Sequence, residues 1–310
     1  MRGQTEGARD MSFTFNEYLR LISDQKFNEA YEYRCINVPK TLFKYFRLID
    51  NQLCQESTTY SCEKIKEKNE RKFQALEDNV LWMPTYNNLN DPFEFKALYL
   101  NKQSLKDEGW QISELEGLLK GIKGLFLLAS FSQNLTNNIP MWAHYANNHK
   151  GFCVEYRIAN PKYLYPISYE TERMAIASSI TKMISKFSSY GEKAIPENDP
   201  ELRLYFNIMY HMTIMKHKSW EYENEYRAIY YNLTGQKSGN KVLLSDLGLE
   251  VARIYVGADC TVEHRKRLLH IAMKLNCEIN EMYLDEYEPS FELRYQELSL
   301  SDGLTPYKFN

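Results

Sequence analysis

The run Leu125-Phe126-Leu127-Leu128-Ala129-Ser130-Phe131-Ser132 decides the architecture. It is almost wholly apolar and of strand length, which suits a central, covered strand better than an amphipathic helix. Outward from it, residues 41–49, 80–83, 151–157, 226–231, 251–256 and 278–284 are β-prone or alternate in polarity. Residues 16–33, 57–79, 141–148, 171–187, 201–216 and 262–275 carry helical spacing, with Asn79 a C-terminal cap and Pro140 suited to a first helical turn. Strands and helices do not alternate regularly, which favours α+β over a doubly wound sheet. The expectation is one α+β domain over 12–310, with mixed, mostly antiparallel central sheets, a helical N-terminal segment and a helical insertion at about 168–218. Residues 1–11 are polar and are expected to lie outside the fold.

Charge narrows the function classes. Lys and Arg total 38 against 41 Asp and Glu, a formal charge of −3. That argues against a broad nucleic-acid platform, while leaving room for a local basic patch. Mean hydropathy is −0.55 and no long apolar run exists, so no membrane span is expected. The polar start has no signal-peptide core, and the cysteines, Cys35, Cys54, Cys62, Cys153, Cys260 and Cys277, form no C-x-x-C pair. They read as free thiols of a cytoplasmic protein. Rings are abundant, with 24 Tyr, 15 Phe and 4 Trp, and suit flat ligands as well as cores.

No glycine-rich phosphate loop, nucleophile elbow or zinc-protease helix is present, and the histidines lack ligand spacing. Three segments carry candidate chemistry. In Trp220-Glu221-Tyr222-Glu223-Asn224-Glu225-Tyr226-Arg227, Glu223 and Glu225 would share a face if the chain were extended. Like charges so close should raise one pKa. Alternatively, Glu225 pairs with Arg227 and merely guards a strand. In Ala129-Ser130-Phe131-Ser132 two hydroxyls share a face and either floor a ligand site or cap loose backbone. In Phe43-Lys44-Tyr45-Phe46-Arg47, Tyr45 and Arg47 share a face suited to a phosphate and a ring, or to solvent.

Lys44-Tyr45, Asn90-Asp91-Pro92-Phe93-Glu94, Ser130-Phe131-Ser132, Met141-Trp142-x-His144-Tyr145, Gly151-Phe152-Cys153 and Trp220-x-x-Glu223-x-Glu225-Tyr226-Arg227 together resemble a bacterial family called domain of unknown function 2971, over about 41–257. The order of motifs is also similar to the Arg, Ser-x-Ser, Glu-x-Glu scheme of ADP-ribosyltransferases. That second resemblance implies a split central sheet and NAD as substrate, with no metal expected. It gives Arg47 the NAD phosphate or ribose, with Tyr45 or Lys44 as substitutes because Tyr stands between Lys and Phe here. Ser130 and Ser132 would shape the pocket. Glu225 would stabilise the oxocarbenium-like transition state and Glu223 would activate an acceptor, protein or nucleic acid. Tyr145, Trp142 and Tyr222 are candidate walls for nicotinamide, and His144 a further contact. The resemblance further implies a toxin or anti-phage effector, with an antitoxin or defence-system partner. Two other readings compete. One is a metal-dependent nuclease using Glu223, Glu225, Asp91 and Glu94. The other is a non-catalytic nucleotide-binding sensor.

Overall fold

The computed structural model describes residues 13–50, 62–86, 95–136, 138–175, 177–191, 199–287 and 289–298. Residues 1–11, the Asn90–Glu94 string and Cys54 lie outside the described residues. In chain order come α1 (Phe15–Ser23), α2 (Phe27–Ile36), β1 (Thr41–Phe46), α3 (Cys62–Glu77), β2 (Val80–Pro84), β3 (Leu98–Tyr99), α4 (Lys102–Asp107) and α5 (Ile112–Gly124). Then follow β4 (Phe126–Ser132), α6 (Ile139–Tyr145), β5 (Phe152–Ile158), β6 (Leu164–Pro166), β7 (Ser168–Glu170), β8 (Met174–Ala175), α7 (Ala177–Tyr190), α8 (Pro200–Ile214) and β9 (Met215–His217). A 3-10 turn (Lys218–Glu223) leads to β10 (Glu225–Tyr231), β11 (Gly239–Leu243), β12 (Leu249–Val256), α9 (Val262–Leu275), β13 (Glu278–Leu284) and β14 (Leu293–Glu297).

The architecture is mixed α/β around one curled sheet of eight strands, in the order β14-β13-β12-β5-β1-β4-β10-β6. Its pairings are antiparallel except β12 with β13, where α9 supplies the crossover that a parallel pair needs. The run expected to be central is central: β4 lies between β1 and β10. Its two pairings are unequal. β4 matches β10 along seven residue pairs, Glu225↔Ser132 to Tyr231↔Phe126. It matches β1 only at Phe43↔Ser132, whereas β1 matches β5 along its whole length. Beyond that single bridge, β1 and β4 part.

Both sheet faces are covered, which explains the apolar run. Leu127, Ala129 and Phe131 turn toward α3, α9 and the β2–β11 ribbon, packing with Phe73, Leu81 and Leu268. Leu128 and Ile229 turn the other way, onto Met209 and Met212 of α8 and onto α1. On that second face α6 covers the β1–β5–β12 end. Trp142 is fully buried there, edge-on to Tyr45 with centroids 5.2 Å apart, and donates from Nε1 to Leu135 O at 3.1 Å. Trp142 is thus core, not a nicotinamide wall.

Some boundaries differ from expectation. The single helix expected over 16–33 is two, because Gln25 takes a left-handed φ of 59° and reverses the chain. The helix expected at 171–187 begins at Ala177, after the short strands β7 and β8. The helix expected to run to residue 216 ends at Ile214, and Met215–His217 pairs in parallel with β7. Asn79 does cap α3 in a left-handed conformation, φ 52°.

Candidate functional site: two carboxylates beside the gap between β1 and β4

The site is built where β1 and β4 part. Register places Ser130 and Ser132 of β4 on the same face as Phe43 and Tyr45 of β1 and as Glu225 and Arg227 of β10. A cavity of about 170 Å³ opens there, lined by Lys44, Tyr45, Ser130, Ser132, Tyr145, Lys216, Trp220, Glu223 and Glu225, among others. Seven of the eleven residues that the NAD reading singled out therefore meet in one place. Arg47 and His144 do not line it: both are exposed, Arg47 beyond the end of β1 and beside Lys72, and His144 on the outer side of α6.

Glu223 and Glu225 converge by a different route from the extended alternation expected. Glu223 ends the 3-10 turn, Asn224 adopts φ 43° and ψ 53°, and Glu225 begins β10. The left-handed residue replaces the pleat, and asparagine tolerates that conformation better than most. The two carboxylates then close on one cation. Lys216 Nζ lies 2.5 Å from Glu223 Oε2 and 2.9 Å from Glu225 Oε2. Arg227 grips Glu225 through Nε at 2.7 Å and through its second nitrogen at 3.3 Å, and also donates to Thr213 O at 2.6 Å. The Tyr145 hydroxyl donates to Glu223 Oε1 at 2.5 Å.

These contacts set the charges apart. Burial pushes the Glu225 carboxyl up, but Arg227 and Lys216 outweigh it and hold it at about 2, with the Ser130 hydroxyl contributing. Burial pushes Glu223 up too; Lys216 opposes this, Glu225 adds to it, and Glu223 stays above its ordinary value. The rise expected for one carboxyl of the pair falls on Glu223, and the lowering of Glu225 comes from its two cations. The Lys216 ammonium is lowered by burial, yet Glu225 and Glu223 prevail and raise it. Lys44 has no such pair: burial pushes it down to about 8, only partly opposed by Glu225. Its ammonium donates to Ser130 O at 2.9 Å across the gap between the strands.

The two serines act differently. Ser132 is fully buried, donates to Glu223 O at 2.7 Å and accepts from Asn134 N at 3.2 Å, so it fixes the backbone under Glu223. Ser130 is exposed at the cavity and bonds the Glu225 carboxylate. The Tyr45 hydroxyl is engaged by Asn134 O at 2.8 Å, leaving its ring to line the cavity. Tyr222 packs beside the Tyr45–Trp142 cluster, and Trp220 stands at the cavity in its place.

Sequence reading missed Lys216, which lies at the expected end of a helix and reads there as a surface cation. The signal available was a buried Glu-x-Glu needing more positive charge than Arg227 alone supplies. Lys216 and Trp220 also line a second, larger cleft of about 620 Å³ with Tyr99, Arg173 and His217, so the two cavities are neighbours. Among the described residues no group of three or more His, Cys, Asp or Glu is placed to hold a metal ion. Asp91 and Glu94, offered for a metal, lie outside the described residues.

Fold and site define the class: a mixed α/β protein whose central sheet opens over a buried Glu-x-Glu. Residues 141–228 match the family described as "Protein of unknown function (DUF2971)", in line with the resemblance read from the sequence. The match is shorter than the 41–257 expected. It takes in Tyr145, Lys216, Glu223, Glu225 and Arg227, while Lys44, Tyr45, Ser130 and Ser132 lie before it. No curated protein and no solved structure matches the chain. Among the described residues no helix is long and apolar enough to cross a membrane.

Proposed function

We propose that the chain is an ADP-ribosyltransferase-like enzyme or NAD glycohydrolase that cleaves the nicotinamide bond of NAD. One observation carries this reading: Lys44 and Tyr45, Ser130 and Ser132, and Glu225 sit on three neighbouring strands and line one cavity with Glu223. The parting of β1 from β4 after one bridge supports the split sheet that the resemblance implies.

In this reading Lys44 and Lys216 receive the pyrophosphate, in place of the displaced Arg47. Departure of nicotinamide, which takes the bonding electron pair, leaves positive charge on the ribose. Glu225, ionised down to about pH 2, stabilises that charge from a site with little water. Glu223, with its raised pKa, accepts the proton of the attacking hydroxyl or water. The cytoplasmic toxin or anti-phage role, and any antitoxin or defence-system partner, follow from the same resemblance.

A second reading is favoured by one observation. Both carboxylates are 3% exposed and each is paired with a protein cation. A non-catalytic nucleotide-binding sensor would use such a locked cluster to hold its sheet. The deciding experiment measures nicotinamide release from NAD by the purified protein and by Glu223→Gln, with NAD binding followed in parallel. Release that Glu223→Gln abolishes without loss of binding supports the enzyme. Binding without release by either protein supports the sensor. Absence of both overturns the NAD reading.

A further inference from the structure

A third concave surface borders the carboxylate cavity, and its charged lining is wholly cationic. It is a groove of about 830 Å³ between α3 and the β2–β11 ribbon, lined by Lys44, Lys68, Arg71, Lys72, Lys241 and Trp82 over an apolar floor. Among the described residues that line it there is no carboxylate. The reason lies in how α3 distributes its charges. Glu70 and Glu77 turn to the opposite side and pair with Arg267 of α9 at 2.8 Å and 2.6 Å. Lys68, Arg71 and Lys72 face the groove, and Arg71 pairs with Glu67 of its own helix. Crowding is evident at Lys72, whose ammonium is pushed down to about 8 by burial and by Arg47 and Lys68.

The opposite wall has an exposed ring. Trp82 is 47% exposed on β2, directly across from Lys241 on β11, so indole and ammonium share one face of the ribbon. Lys44 and Pro84 line both this groove and the carboxylate cavity.

We infer that this groove binds a single-stranded nucleic acid, its phosphates along Lys68, Lys72 and Lys241 and a base stacked on Trp82. A cationic channel with an accessible ring is the arrangement that unpaired strands require. A duplex presents phosphates alone and has no use for an indole or an apolar floor. An acidic peptide would satisfy the lysines and leave Trp82 uncovered. The inference stands on the groove's own residues and does not depend on NAD cleavage. If both hold, the strand passes the shared Lys44 and is the acceptor.

The test is fluorescence anisotropy with a short labelled oligoribonucleotide and the intact protein at stepped salt. Binding should weaken with salt. Lys68→Glu with Lys241→Glu should lower affinity at least about tenfold and reduce the salt slope by about 0.7 for each cation removed. Trp82→Ala should lower affinity about fivefold or more with an unchanged slope. All three residues are exposed, so unchanged thermal melting verifies the fold of the variants. No binding at low salt, affinity unmoved by the charge reversals, or competition by a duplex or a polyglutamate peptide as strong as by the single strand would each overturn the inference.

Discussion

Glu223 and Glu225 share one ammonium: Lys216 lies within 3 Å of both, at 2.5 Å and 2.9 Å. Two carboxylates that would repel in a dry site are thereby joined, and Arg227 balances the remaining charge. The cluster is neutral as a unit and fails when one member is lost.

Lys216→Met should therefore destabilise the protein by about 3–5 kcal/mol, because it strands a buried charge. Lys216→Met with Glu223→Gln should recover part of that loss, with a coupling of about 1–3 kcal/mol. Urea denaturation of the four proteins in the cycle measures it. Additive losses would mean that the ion pair is incidental.

Acid should expose Glu225. Its carboxyl is lowered from an ordinary 4.5 to about 2, so its contribution to stability is complete above 4.5 and is lost as pH falls toward 2. Glu223 is shifted upward and acts in the opposite sense, costing stability as pH rises through its folded value. Melting temperature followed from pH 7 to pH 2 should fall less steeply in Glu225→Gln than in the parent.

Alkali should act through Lys44. With its ammonium at about 8, affinity for an anionic ligand should drop as pH rises through that value. Lys44→Arg keeps its charge and should flatten the profile between pH 7 and pH 9. NAD titration by calorimetry across that range checks this. A parent profile that is already flat would remove Lys44 from binding.

The two serines should separate stability from activity. Ser132→Ala leaves Glu223 O and Asn134 N without a buried partner and should cost about 1–3 kcal/mol. Ser130→Ala, at an exposed position, should cost under about 1 kcal/mol yet slow nicotinamide release, since it withdraws a donor from Glu225. Melting curves and turnover on both variants test the contrast.

Gly151 should tolerate no side chain. A Cβ there would stand 2.0 Å from Phe46 O and 3.0 Å from Ala146 O, where backbone has no room to yield. Gly151→Ala should cost about 1–3 kcal/mol or more, read by chemical denaturation.

That glycine shows what sequence conveys and what it conceals. Gly151-Phe152-Cys153 was visible as a motif, but its reason, a close crossing of β1 and the turn after α6, is a tertiary fact. The strands of the large sheet were legible because apolar runs and alternation follow directly from burial on one face or two. The convergence of Ser130, Tyr45 and Glu225 was expected from the resemblance; spacing gave only the face that each shares with its neighbours on its own strand. The course of residues 215–225 was not. It rests on a three-residue strand, a 3-10 turn and one left-handed asparagine, none of which has a periodic signature. Lys216 was hidden for the same reason. Arg47 was misplaced because β1 ends at Phe46, one residue before strand alternation could carry it onto the face shared by Tyr45.

The solitary bridge between Phe43 and Ser132 gives the molecule an internal rim. Most sheets present peptide groups for new partners only at their outer margins, where unwanted association is a hazard. Here β1 and β4 turn such groups toward a sheltered hollow, and the Lys44 ammonium already docks on the Ser130 carbonyl. A guest seated there would be read by main chain as well as by side chains, and that part of the recognition would survive replacement of the side chains named above.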